Sequence, residues 1–505
     1  MIRPAFSVAV CLALAAAHAV EEKPTAAVRI EELLSPALPY AVGVSLTGAP
    51  DGAAWLSWAD RPKDEIALRF STFDNAGKKW SAPTTIIKHG RLFHLFEWPE
   101  AFPPVSIGAN GHATAVGFFG YAAHNVETMA LVKHTTDGGK TWGKDEPLSP
   151  ANSGDIEAVA LATLADNRVL AAWIDGRDFE KREKAVMQLF ARVLGETGPD
   201  VLLDPSVPRF SQLSLTAFPD GGALLAYHGR TDDNLTTVRT ARFRGQTWDN
   251  SKPLDNDVGL ATGPRLASDG GRVAVAWFSS ADNDPRVLAS FSPDAGTRFL
   301  QPLHIDHGKP AGSVDTLILH DGAMLVAWLE SDGSAWLRRL SPDFTADVPV
   351  RLTPASATNA NAAAHPPRVR LALVRDYMGG KSSAQFVTAI AAGDTASLRT
   401  LLVTVPEGEL IAAAKSCDCA PTPEQLAGFP MRGTIAAVVA DRGALRVQHD
   451  EIPGLLAAGT REFRTAPDVL AAVATGRQFL GRIERRDSTW WVFDVRLLVQ
   501  PDTSK

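Results

Sequence analysis

Cysteine and tyrosine are scarce in this chain, with three of the first and four of the second among 505 residues. Three cysteines exclude a disulfide framework. Charge is sparse too, at 21% of residues, and slightly acidic, with 50 Lys+Arg against 57 Asp+Glu. That balance lacks the basic surplus of a nucleic-acid binder. Beyond residue 20 no apolar run is long enough to span a membrane. What is present is 45% hydrophobic residues, with 12 Trp and 22 Phe, enough apolar material to exclude a disordered chain. Gly (40) and Pro (34) are frequent, which points to turns between short strands.

Residues 1–19 read as a secretory signal: Arg3, an apolar run, then Ala17-His18-Ala19 before the expected cut. Removal takes one Arg and leaves a net charge of −8, with Cys417 and Cys419 as the remaining thiols. The mature protein is expected in the periplasm or outside the cell.

One block recurs at intervals of 50–62 residues: an apolar strand that ends in an aromatic residue and then a polar turn. It reads WLSWAD around Trp58, AVGFFG around Phe118, AAWIDG around Trp173 and LLAYHG around Tyr227. VAWFSS around Trp277, VAWLES around Trp328 and a weaker VTAIAAG around Ile390 continue it. Each unit holds about four short strands, the size of a propeller blade. Seven blocks predict an all-β, seven-bladed propeller over 20–405, with six blades as the alternative. The seventh unit lacks a clear fourth strand, and the segment Ala26–Leu33 is placed to supply it, leaving no free edge.

A second signature is a turn. His134-Thr135-Thr136-Asp137-Gly138-Gly139-Lys140-Thr141-Trp142 shares its layout with segments 71–80 and 290–299. Asp caps the turn, Gly tolerates positive φ, and the closing aromatic is expected to pack on its own blade. These turns resemble the Asp-boxes, or BNR repeats, of sialidase-like propellers. In that family the boxes lie away from the catalytic face.

The resemblance sets a list of needs: an arginine cluster for a carboxylate, an Asp acid/base and a Tyr nucleophile activated by Glu. Strand order gathers Arg61, Arg177, Arg209, Arg230, Arg265 and Arg368 at one mouth. They are expected to bind a small anionic or glycan ligand, or a protein partner, the alternative being a solvated rim of local pairs. The family's early Arg-Ile-Pro motif is missing and tyrosine is scarce, which favours a non-catalytic protein. Were the chain a sialidase-type glycoside hydrolase, Asp175 would be the acid and Tyr227 the nucleophile.

The periodicity stops near 405. Residues 406–428 read as a linker carrying Cys417-Asp418-Cys419, and 429–500 as short strands with one helix, an OB-like barrel. Pro430-Met431-Arg432-Gly433-Thr434, His449-Asp450-Glu451-Ile452-Pro453-Gly454 and Trp491-Val492-Phe493-Asp494-Val495 resemble the CusF family of periplasmic copper-binding proteins. The resemblance implies copper. His449 matches the family's histidine, but its two methionine positions are Gly459 and Arg461, and Arg cannot ligate a metal. Cys417 and Cys419, with His449, are the expected metal ligands, since soft copper(I) favours sulfur beside imidazole.

Overall fold

The computed structural model describes residues 28–406 and 429–497, apart from 38–40, 61–64, 91–92, 96–103, 122–127, 150–155, 178–186, 210, 231–235, 255–260, 282–283, 343, 355–367, 376–382, 392–397, 451, 453–455 and 487–488. Among the described residues the chain is all-β apart from the short helix Pro467–Ala472 and 3-10 turns such as Ala440–Arg442. Seven antiparallel sheets of four or five strands follow one another along the chain. Their first strands touch in sequence order, and the first strand of the seventh sheet, Arg368–Arg375, returns to that of the first sheet, Val42–Gly48. The result is the closed circuit of a propeller.

Closure joins distant parts of the sequence. Arg29–Leu33 pairs antiparallel with Leu398–Pro406 and becomes the outer strand of the seventh sheet. Without it Leu398–Pro406 would be an open edge. Around the axis the first strands splay, and side-chain oxygens carry the contacts between sheets. Ser106 Oγ meets Thr163 Oγ1 at 2.6 Å, Ser214 Oγ accepts Leu266 N–H at 2.9 Å, and Asp315 accepts Leu371 N–H at 2.8 Å.

The recurring block is the second strand of each sheet, and its aromatic is core. Trp58, Phe118, Trp173, Tyr227, Trp277 and Trp328 are all essentially fully buried. A buried indole N–H needs an acceptor, and in two of the sheets the residue two positions on supplies it. Trp173 Nε1 donates to Asp175 at 2.9 Å and Trp328 Nε1 to Glu330 at 2.7 Å. In the third and sixth sheets the acidic residue after the aromatic is thereby part of the core's hydrogen bonding.

Two Asp-boxes share one hydrogen-bond set. Thr135 Oγ1 donates to Asp137 and accepts Gly139 N–H, and Asp137 accepts Thr141 N–H. Ser292, Asp294, Gly296 and Arg298 repeat it. The packing differs from expectation at Trp142, which meets Phe70 of the preceding sheet edge-on at 5.9 Å. The turn therefore ties neighbouring sheets together.

The C-terminal strands Phe429–Val439, Ala444–His449, Gly459–Arg464, Gln478–Arg486 and Thr489–Leu497 form a closed barrel around Met431, Ile435, Leu445, Phe463, Phe479 and Val492. Gly433 sits where a Cβ would lie 2.3 Å from Val447 Cγ1, so the Arg-Gly of its opening strand is a packing requirement. No described helix is long and apolar enough to cross a membrane.

Candidate functional site

The first strands line the propeller axis, and there the structure concentrates arginine. Arg265 comes from Ala261–Asp269 of the fifth sheet, while Arg368 and Arg370 come from Arg368–Arg375 of the seventh. Asp315, on Pro310–Ile318 of the sixth, lies between them in the ring. Residues two apart on a strand share a face, which sets Arg368 and Arg370 together. Both are buried, as is Asp315.

The field at this cluster is positive. Burial and then Arg265, with Arg368 adding, lower Arg370 well below the ordinary arginine range, against the opposing pull of Asp315. Burial also lowers Arg265, again opposed by Asp315. Among the described residues three guanidiniums gather around one carboxylate, in a site of low dielectric where charge acts strongly. Planar guanidiniums suit carboxylate or sulfate oxygens.

The other predicted arginines are held separately. Arg209 Nε and Nη2 both reach Glu157 Oε1 at 2.6 Å, joining the fourth sheet's approach segment to the third. Arg177 grips buried Asp175 at 2.6 Å and Asp200 at 2.8 Å, its guanidinium 3.6 Å from the Phe190 ring centroid. Arg230 ends the strand Ala223–Arg230 and is half-buried. Arg61 lies outside the described residues. The expected six-arginine mouth thus resolves into one axial group containing Arg265 and Arg368 and two locally paired residues. Arg370, Asp315 and Glu157 were not anticipated; the Arg-Val-Arg spacing of 368–370 was the available signal for the first.

Neither candidate catalytic residue is presented to a ligand. Asp175 is fully buried beneath Trp173 and Arg177; burial raises its pKa against Arg177's pull. Tyr227 is fully buried and donates its hydroxyl to Asp204 at 2.9 Å. Burial, then the Asp204 charge, pushes that phenol far up, the reverse of what a nucleophile needs.

In the barrel, His449 is buried edge-on against Phe463 at 5.6 Å, and its Nδ1–H donates to the Asp450 carbonyl at 2.8 Å. That fixes the tautomer with Nε2 as the lone-pair nitrogen. Gly459 and Arg461 are exposed. Among the described residues no group of three His, Cys, Asp or Glu is arranged to hold a metal ion. One imidazole without thioether sulfur does not make up the CusF-type copper set. Cys417, Cys419 and the signal segment lie outside the described residues.

No protein-family model matches the chain, and neither does any curated protein. Solved structures do. BP39L lectin from Burkholderia pseudomallei aligns at 14% identity over 74% of this chain and 100% of its own, with a TM-score of 0.51. The polysaccharide lyase Uly1 aligns at 8% identity over 75% and 92%, TM-score 0.43. The Hadza microbial sialidase Hz136 aligns at 10% identity over 74% and 66%, TM-score 0.39. The likeness to the lectin is one of fold and agrees with the propeller.

Proposed function

We propose that this chain is an exported, non-catalytic binding protein whose seven-bladed, sialidase-like propeller takes an acidic glycan at the axial arginine group. The observation that carries this reading is the gathering of Arg265, Arg368 and Arg370 around Asp315 on the first strands at the axis. The fold likeness to a lectin supports it, and so does the locking of Asp175 and Tyr227 into core hydrogen bonds. Carboxylated or sulfated sugars fit because they pair a planar or tripodal anion with hydroxyls that the ring's serines and threonines can meet. The test is a fluorogenic sialoside assay beside a binding assay with a sialylated oligosaccharide. Binding without turnover above the buffer rate is expected; turnover abolished by Tyr227→Phe would establish the hydrolase instead.

The barrel, on this reading, is an OB-like unit of CusF type that carries copper as cargo on Cys417 and Cys419 with His449. The His449 tautomer is the observation in its favour. Copper(I) titration of the protein and its Cys417→Ser/Cys419→Ser form decides it, because saturable binding must vanish in the double variant.

A further inference from the structure

Two cavities lie at the Asp-box end of the sheets, on either side of the third. One, of about 300 Å³, opens between the second and third sheets; the other, of about 260 Å³, between the third and fourth. Both are near the small end of ligand cavities, which run from about 300 Å³ upward. Arg168 and Arg192 line both cavities.

The arginines of the shared wall are matched by carboxylates, one of which, Asp200, Arg192 shares with Arg177. Arg168 pairs with Asp166 at 2.7 Å and Glu196 at 2.6 Å, and Arg192 with Asp200 at 3.3 Å. An acidic ligand gains nothing there, in contrast to the axis. Glu146 also lines the first cavity and adds a carboxylate, which disfavours an anion further; amides, hydroxyls and rings supply the other polar contacts. His134, which burial holds toward its uncharged form, exchanges a hydrogen bond with Thr114 Oγ1 at 2.8 Å in the first cavity. Asn167 uses Oδ1 to accept Ala109 N–H at 2.9 Å, so it meets a ligand through its amide donors. In the second cavity Trp248, half-buried beside Phe243 at 5.2 Å, offers an aromatic surface, and exposed Gln246 offers an amide.

Neutral donors and acceptors around an apolar wall match a sugar ring, whose hydroxyls both donate and accept while its C–H face prefers an aromatic. We propose that the two cavities are adjoining subsites for a neutral oligosaccharide crossing the end of the third sheet. This site differs from the axial one in place and in ligand charge, and does not depend on it.

The test is an array of neutral oligosaccharides built from glucose, galactose, mannose, xylose, arabinose and fucose, probed with the full chain. Gln246→Ala alters an exposed side chain, and Asn167→Gly keeps the positive φ of 67° while removing the amide. We expect retention by at least one neutral oligosaccharide and at least tenfold weaker binding in either variant, with the thermal midpoint unchanged in Gln246→Ala, lowered only by the lost Ala109 hydrogen bond in Asn167→Gly, and the response to Arg265→Gln unchanged in both. No retention by wild type, or both variants binding within threefold of it, would overturn the proposal. Retention on sialylated spots alone would overturn it too, while leaving the axial reading intact.

Discussion

Trp173 donates its indole N–H to Asp175 at 2.9 Å, and the carboxylate thus engaged also holds Arg177 at 2.6 Å. Trp328 and Glu330 repeat the relationship in the sixth sheet. Asp175→Ala removes the acceptor of one buried group and the partner of another, so it should cost about 3–5 kcal/mol in chemical denaturation. Asp166→Ala breaks an exposed pair with Arg168 and should stay within about 1 kcal/mol. Equal losses would contradict the structural role given to Asp175.

His228 is a buried imidazole whose pKa burial lowers to about 4. In the unfolded chain it titrates near 6.5, so unfolding takes up a proton between the two values. Its contribution is complete above about pH 6.5 and is lost as pH falls toward 4. Relative to His228→Gln, wild type should lose about 3 kcal/mol across that window. Parallel stability curves for the two proteins would show that His228 does not titrate this way.

Gly138 and Gly139 are neighbours with positive φ, 73° and 80°, but different surroundings. A Cβ at Gly138 meets open space, whereas one at Gly139 would lie 2.4 Å from Phe70 Cζ. Gly138→Ala pays only the left-handed strain of about 1–2 kcal/mol. Gly139→Ala should be at least about 1 kcal/mol worse, because the ring of the preceding sheet must move. Thermal melts of the pair decide it.

Deleting Arg29–Leu33 uncovers Leu398–Pro406 along its length and removes the Glu32–Arg399 ion pair. The truncated chain should form dimers or larger species through the bared edge. Light scattering after size-exclusion chromatography reads this directly; a well-behaved monomer of unchanged melting temperature would show that closure does not depend on this strand.

The legible features were local. The Asp-box turns at Asp137 and Asp294 were readable because their hydrogen bonds span four residues. The blade repeat was readable because one buried aromatic recurs in six of the seven units. The Trp-x-Asp spacing was visible as well, but Asp175's role was not, because it follows from burial of the indole by the neighbouring sheet. Arg370 was overlooked beside Arg368 for a related reason: an alternating apolar strand reads as core until the ring places one of its faces on an axis. Trp142 looked like a cover for its own hairpin, and only the stacking of sheets reveals Phe70 beneath it.

In the function proposed above, the axial arginines bind an anionic sugar. Isothermal titration with sialyllactose, compared with lactose, addresses it with wild type and the Arg265→Gln/Arg368→Gln form. Saturable binding of the sialylated sugar alone is expected, weakened by added salt and at least tenfold poorer in the double variant. Equal response to both sugars, no response to either, or an unchanged affinity in the double variant would contradict it.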